Sequence, residues 1–127
     1  MPDPAESLIL FAHGARDPEW REPVDALAKR LRGALPHARV GVAFLEFMTP
    51  TLPEAIDAAA AAGAHRVAIA PLFWAEGGHL KREVPALIAE CAARHPSLAI
   101  ERWPVLGDSA EVLDALAAVY VGRWARA

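Results

Sequence analysis

Four short, uninterrupted apolar runs constrain the fold of this chain more than any other feature of its sequence. They occupy residues 8–12, 40–45, 67–72 and 98–100, and the last of them is the weakest. None of the runs alternates apolar with polar residues, which is typical of strands that helices cover on both faces of a mostly parallel sheet. The runs therefore predict four buried strands.

The segments between these runs carry helical signals. Residues 51–54 have the spacing of a capping box, and Gly63 stands where the following helix is expected to end. Pro85 is compatible with the third helix only near its start, and residues 108–111 repeat the capping spacing. Apolar residues recur at intervals of three and four within the helical segments. They are Val24, Leu27, Ala28, Leu31 and Leu35, then Val84, Leu87, Ile88 and Cys91, and finally Val112, Leu113, Leu116, Val119 and Tyr120.

Strands and helices therefore alternate along the chain as β-α-β-α-β-α-β-α with short connections. We predict a single α/β domain over residues 1–127, with three layers around a four-stranded, mainly parallel sheet of Rossmann- or flavodoxin-like topology. A length of 127 residues suits one domain with one hydrophobic core.

The composition argues against two kinds of partner and predicts the compartment in which the protein acts. The formal net charge is −3 and the positive residues form no stripe, so we expect no nucleic-acid partner. The longest apolar run, residues 67–75, is interrupted by Pro71 and is far shorter than the roughly 20 residues of a bilayer span, so we expect no membrane partner. The single cysteine, Cys91, excludes an internal disulfide, and residues 1–6 lack the basic residues of a signal peptide. These features predict a cytoplasmic protein.

Three side chains with metal-binding chemistry follow the predicted strands. His13 comes directly after the first strand, Glu46 after the second, and His79 after the third and a short glycine-rich loop. The carboxyl ends of parallel strands meet at one edge of the sheet, where ligands bind in open α/β folds. The remaining histidines precede strands and are expected at the opposite edge: His37, His65 and His95.

Two imidazoles and one carboxylate suit several divalent metals and leave coordination positions open. A neutral imidazole also accepts protons near physiological pH. Taken singly, two of these residues have ordinary roles that stay open: His79 as a cap of the following helix and Glu46 as a solvated loop acid. Trp74 directly precedes the glycine-rich segment and is placed to touch a flat ligand, whereas Cys91 is expected to pack in the core.

Three longer strings connect this chain to a known family. Residues 11–18 (FAHGARDP), 44–52 (FLEFMTPTL) and 71–85 (PLFWAEGGHLKREVP) resemble the CbiX-type sirohydrochlorin chelatases in their order and spacing, and the resemblance covers nearly the whole chain. There are two departures. Ala15 stands where many relatives have serine, and residues 83–84 replace a more usual Asp-Ile pair. The single-domain length resembles the short form of the family, whose members pair as homodimers.

This resemblance implies insertion of a divalent metal, cobalt first, into sirohydrochlorin or a related tetrapyrrole in cobalamin or sirohaem biosynthesis, without an organic cofactor. It implies that His13 and His79 bind the metal and accept protons, with Glu46 as a third ligand or proton relay. The substrate carries many carboxylates, so positive side chains at this edge are candidate substrate contacts, and Trp74 is a candidate contact for the ring. The positive residues are Arg16, Lys81 and Arg82.

Other functions stay open at this point. The same scaffold can insert iron or nickel, because metal choice depends on availability and fine geometry. A second alternative is a carrier that binds metal or tetrapyrrole without turnover. A receiver- or flavodoxin-like signalling or electron-transfer domain fits less well. A receiver domain has an acidic cluster after its first strand and an acceptor aspartate after its third, where this chain has His13 and residues 71–72.

Overall fold

The computed structural model describes residues 3–127 and places four strands in one sheet. The strands are β1 (Asp3–Ala12), β2 (Ala38–Phe44), β3 (Arg66–Pro71) and β4 (Ala99–Arg102). They pair in the order β2-β1-β3-β4, and every pairing is parallel. The predicted four-stranded parallel sheet is confirmed, with β1 and β3 at its centre.

Four helices follow the strands in the predicted alternation. They are α1 (Glu22–Ala34), α2 (Leu52–Ala61), α3 (Gly78–Arg94) and α4 (Ala110–Arg126). Short 3-10 helices precede α1 and α4, at Pro18–Arg21 and Leu106–Asp108. Within residues 3–127, none of the helices combines the length and apolar character needed to cross a bilayer.

The start of α2 confirms the predicted capping box. The Thr51 N–H donates to Glu54 Oε1 at 2.9 Å, and the Glu54 N–H donates to Thr51 Oγ1 at 3.3 Å. Hydrogen bonds to the Glu54 carboxylate from the Thr51 backbone first, and from the Thr51 side chain second, lower the pKa of Glu54 because they stabilise its charged form. Gly63 follows the helix with a φ of +96°, the left-handed conformation that ends helices.

Two helix details differ from the sequence prediction. α3 begins at Gly78, so Pro85 lies inside the helix rather than near its start. Its ring removes one N–H from the helical bonding pattern. The cap of α4 is Ser109, whose Oγ accepts from the Val112 N–H at 3.3 Å, because Asp108 still belongs to the preceding 3-10 helix.

Alternate residues of β1 face opposite layers of the fold. Ile9 and Phe11 pack with residues of α2 and α3, whereas Leu8 and Leu10 pack with residues of α1. Both faces of the strand are therefore buried, which explains its unbroken apolar run. Cys91 lies fully inside the first of these cores, as expected, and burial raises the pKa of its thiol.

The last helix is the exception to this packing. No residue of α4 is buried, and its contacts with the described chain concentrate at the 3-10 helix Leu106–Asp108. The apolar stripe predicted from the sequence is present, but Leu113, Val119 and Tyr120 stay 41–60% exposed. The helix is thus confirmed, while its apolar face lacks a partner in the described part of the chain.

Asp57 joins α2 to the end of α3. Its Oδ1 accepts hydrogen bonds from His95 Nε2 at 2.7 Å and from Arg94 Nη2 at 2.9 Å. The His95 bond first, and the Arg94 bond second, lower the pKa of Asp57 from its ordinary 3.8. The stabilisation is therefore complete above the ordinary pKa and disappears as the pH falls through the lowered value.

We expect Asp57→Asn to unfold more easily than the unmodified chain at neutral pH, with the difference shrinking as the pH falls below about 4. The asparagine keeps an acceptor oxygen but loses the charge that pairs with Arg94. Urea unfolding at a series of pH values measures the difference, and Asp114→Asn on the exposed face of α4 is the matched control. A difference that does not change with pH would contradict the assignment.

Candidate functional site

The backbone brings together the loops that follow β1 and β2. The Leu45 N–H donates to the Ala12 carbonyl at 2.9 Å, and one step further the Glu46 N–H donates to the His13 carbonyl at 3.0 Å. Gly14 allows this close approach, because its φ is +93° and a Cβ at this position would collide with the Glu46 carbonyl oxygen. A glycine directly after His13 is therefore a requirement of the contact between the two loops.

This backbone arrangement pairs His13 with Glu46. His13 Nε2 lies 2.8 Å from Glu46 Oε1, and the side chains are 52% and 49% exposed. An ionised carboxylate only accepts hydrogen bonds, so Nε2 carries the hydrogen and Nδ1 keeps its lone pair in the neutral ring. The imidazole also meets Phe73 edge to face, with ring centroids 6.2 Å apart. Glu46 thus orients the His13 ring through Nε2, and Nδ1 has no hydrogen-bond partner among the described residues.

Arg16 lies against the ring of Phe47. Its guanidinium carbon is 5.0 Å from the ring centroid, a cation–π contact. Phe47 directly follows Glu46 and has a φ of 65°, a left-handed conformation that is uncommon for residues other than glycine and is enriched at functional sites. Among residues 3–127, no carboxylate forms an ion pair with Arg16. Its charge is therefore available to an anionic ligand.

His79 occupies the second position of α3 and does not cap the helix. The cap is Gly77, which makes no side-chain bond, so the capping role considered for His79 is wrong. His79 Nε2 lies 2.6 Å from Glu83 Oε2, and the imidazole is 84% exposed. Sequence reasoning missed Glu83 as a partner, although its spacing of four residues on one helix face was a usable signal.

Lys81 and Arg82 lie near the start of α3, and both are exposed. Neither forms an ion pair with a carboxylate in the described part of the chain. Successive helical residues are rotated by about 100° around the axis, so the two side chains project in different directions. Together with the first N–H groups of the helix, they make the start of α3 positive.

Trp74 stands exposed in the loop between β3 and α3. Its carbonyl accepts a hydrogen bond from the Gly107 N–H at 2.8 Å. A Cβ at Gly107 would collide with that carbonyl, so only glycine allows the approach. The loop backbone is therefore fixed while the indole stays open to solvent, as contact with a flat ligand requires.

A second contact fixes the same loop. The Glu76 carboxylate, only 11% exposed, pairs with Arg102 at the end of β4. Glu76 directly precedes the glycines that lead to His79, so the ion pair restrains the backbone of that segment. Sequence reasoning missed this pair because its members lie 26 positions apart and share no local pattern.

The structure brings only two of the three predicted metal-binding residues into contact with each other. His13 and Glu46 are in contact, whereas His79 is paired with Glu83. Within residues 3–127, no three His, Cys, Asp or Glu side chains are grouped closely enough to hold a metal ion. The set of His13, His79 and Glu46 remains a prediction. The observed geometry is one imidazole–carboxylate pair in the loops after β1 and β2, and a second pair in the first turns of α3.

The fold and this edge define a class of protein: a parallel α/β domain that presents imidazole–carboxylate pairs and unpaired cations in the loops after its strands and at the start of α3. The CbiX family model matches residues 7–121, and the chain belongs to this family. The resemblance noted in the sequence is confirmed over nearly its whole extent.

Two curated relatives are the sirohydrochlorin cobaltochelatases of Methanococcus aeolicus and Methanocaldococcus jannaschii. Each is 35% identical to this chain, over 88 and 92 residues respectively. The matches cover 68% and 71% of this chain but 62% and 63% of the relatives, so the chain spans just under two thirds of their length.

Solved structures confirm the fold. A putative cobalamin biosynthesis CbiX protein from Marinobacter aquaeolei VT8 has a TM-score of 0.83 and 28% identity, over 96% of this chain and 99% of that one. The sirohydrochlorin chelatase SirB from Bacillus subtilis subspecies spizizenii, in complex with cobalt, has a TM-score of 0.75 and 26% identity, over 89% of this chain and 48% of SirB. SirB from Bacillus subtilis with Fe3+ has a TM-score of 0.74 and 25% identity to this chain, and the match covers 45% of that protein.

We expect Gly14→Ala to lower the free energy of unfolding by more than about 1 kcal/mol, because alanine disfavours the left-handed conformation and its Cβ meets the Glu46 carbonyl. Urea unfolding measures the loss. Gly33→Ala is the matched control, since no atom lies within 4 Å of a Cβ there and alanine favours the helix that contains it. Equal stability of the two variants would contradict the role given to Gly14.

Proposed function

We propose that this chain is a chelatase that inserts a divalent metal, with cobalt as the first candidate, into sirohydrochlorin or a related tetrapyrrole. Family membership supports this proposal, because the two relatives described above are named sirohydrochlorin cobaltochelatases. SirB, which shares the fold, has been solved with cobalt and with Fe3+. We therefore treat the metal as a substrate and assign no organic cofactor.

The contact between His13 and Glu46 is the observation that carries the proposal. A metal that enters a tetrapyrrole replaces two pyrrole protons, so the site must accept protons as well as hold the metal. His13 Nδ1, which has a lone pair in the neutral ring, can do either in turn. Glu46 already accepts the hydrogen on Nε2 at 2.8 Å and would stabilise the imidazolium that forms after proton transfer.

His79 and Glu83 supply a second pair with the same chemistry. We propose that His13 and His79 share metal binding and proton acceptance, with Glu46 as the third ligand or the relay. His79 is the more exposed imidazole and lies after a glycine-rich segment, which suits an early contact with the arriving metal.

The surrounding side chains suit a flat, polyanionic substrate. Arg16 offers a charge without a carboxylate partner, and Lys81 or Arg82 adds a second at the start of α3. The N–H groups of that helix start also favour a carboxylate. Trp74 and Phe47 are exposed aromatic residues that could lie against the ring. These groups let an acidic chain hold an acidic substrate through local charge.

We also propose that two copies of the chain pair. This chain matches about half the length of SirB, so a second copy would supply a comparable body over the exposed strand-end loops. We place the reaction in the cytoplasm, for which a single cysteine is suited.

An absorbance time course with metal-free protein, sirohydrochlorin and cobaltous, ferrous or nickel ion tests the proposal. We expect insertion above the rate without protein, with more than one turnover per site. His13→Ala should lower this rate by about 100-fold or more, because a positioned proton acceptor contributes that much. His37→Ala, an exposed histidine at the opposite edge, should keep the full rate.

The outcomes separate the rival functions. Full rates in both His13→Ala and His79→Ala would contradict the assigned site. A spectrum that shifts on mixing without turnover would indicate a carrier and not an enzyme. The relative rates of the three metals would identify iron or nickel insertion if either exceeds cobalt.

A further inference from the structure

The first turn of α3, which carries His79, has few contacts that fix its position. α2 begins with a capping box, but the cap of α3 is Gly77, which makes no side-chain hydrogen bond. The described partner of the His79 side chain is Glu83 on the same helix, so this contact does not fix the imidazole relative to the sheet. The position of His79 therefore depends on how the chain enters the helix.

Two fixed points lie on either side of His79 in the chain. Before it, the Trp74 carbonyl accepts a hydrogen bond from the Gly107 N–H at 2.8 Å. After it, Leu80 is the first residue of α3 that packs against the larger hydrophobic core. Residues 75–79 lie between these points and include two adjacent glycines, and a Cβ at either glycine would have no atom within 4 Å. No close contact requires glycine there, so the pair adds conformational freedom to the segment.

Glu76 holds this segment against the rest of the fold. Among the described residues, its ion pair with Arg102 is the side-chain contact that joins residues 75–79 to another element. Glu76 is also the least exposed member of the ion pairs within residues 3–127, at 11%. A charge shielded from water to this degree is strongly unfavourable without its partner. The carboxylate therefore stays in place only while the guanidinium is beside it.

The sheet fixes the position of Arg102. Arg102 is the last residue of β4 and is aligned with Ile69 of β3. The N–H of the next residue, Trp103, donates to the Ile69 carbonyl at 2.9 Å. The guanidinium thus projects from a strand whose backbone is bonded on both sides of this position, and its ion pair fixes residues 75–79 relative to the sheet.

We propose that Arg102 is a positioning residue for His79. Through Glu76 it holds the segment before α3, so that the imidazole stays at the edge of the sheet that carries His13 and Glu46. The inference rests on the role proposed for His79 in metal insertion. Arg102 contacts no substrate in this role, and its effect on the reaction comes from geometry, because a displacement of about 1 Å at a reacting group can lower a rate about 100-fold.

Steady-state insertion kinetics of two substitutions at Arg102 test the role. Arg102→Met removes the charge, so that Glu76 turns towards water and displaces the residues that follow it. We expect kcat to fall about 10-fold or more, while the KM for sirohydrochlorin changes less than about 2-fold. Arg102→Lys keeps the charge and should retain most of kcat. Arg66→Met is the matched control, because it breaks an exposed ion pair with Glu101 at the start of β3 and should keep the full rate.

Amide hydrogen exchange gives a second measurement that does not depend on activity. The Lys81 N–H donates to the Gly77 carbonyl at 3.0 Å and so reports on the first turn of α3. We expect its exchange to be about 10-fold faster or more in Arg102→Met. The Leu72 N–H, which donates to the Phe11 carbonyl at 2.8 Å, should exchange at an unchanged rate.

A second variant keeps the test decisive if Arg102→Met proves unfolded by circular dichroism. Glu76→Gln then replaces it, because the glutamine amide still accepts a hydrogen bond and leaves no buried carboxylate without a partner. The expected changes in kcat and in Lys81 exchange have the same direction and are smaller.

Three results would overturn the role. A folded Arg102→Met with an unchanged kcat would show that His79 does not depend on the ion pair. A raised KM with an unchanged kcat would mean that Arg102 binds the substrate itself. Equally faster exchange at Lys81 and Leu72 would indicate a general loss of stability. If the unmodified chain inserts no metal, the proposed function fails, while exchange at Lys81 still decides whether Arg102 holds the segment.

Discussion

The parallel pairing of β1 with both β2 and β3 is the constraint on which the rest of this structure depends. Ala12 is aligned with Phe44 on one side, and Phe11 with Pro71 on the other. Because the three strands run in the same direction, their carboxyl ends meet at one edge. The position of the candidate site follows from that alignment, since the loops and the helix α3 that carry its residues come after the ends of these strands.

Backbone contacts between the loops determine where the side chains of the site lie. Gly14 lets the chain after β1 approach the carbonyl of Glu46, and the Glu46 N–H in turn bonds to the His13 carbonyl. The imidazole and the carboxylate then meet because their backbones already do. Gly107 has the same function for the loop that presents Trp74. Two glycines thus allow the close backbone contacts of the loops that carry His13 and Trp74.

The described helices cover the two faces of the sheet unequally. α2 and α3 bury one face in the larger core, whereas α1 buries only part of the other. The apolar stripe of α4 is exposed, and a groove of about 430 Å³ lined by residues such as Ala70, Leu72 and Trp103 stays open. The connection before α4 is bonded to the backbone of Phe73 and Trp74, so α4 begins beside the edge that carries the candidate site.

The sequence by itself determined the parallel sheet, the order of its helices, the capping box at residues 51–54 and the positions of His13, Glu46 and His79 beyond the strands. These features follow from local periodicity and from the direction of the chain, which a single sequence contains. Only the tertiary structure decided that His79 pairs with Glu83, that Glu76 meets Arg102 from a distance in sequence, and that α4 stays unburied. An amphipathic stripe shows that a helix has an apolar face, but the same stripe serves a helix buried on its own sheet or on another molecule. The choice depends on contacts between residues far apart in the chain, which no local pattern records.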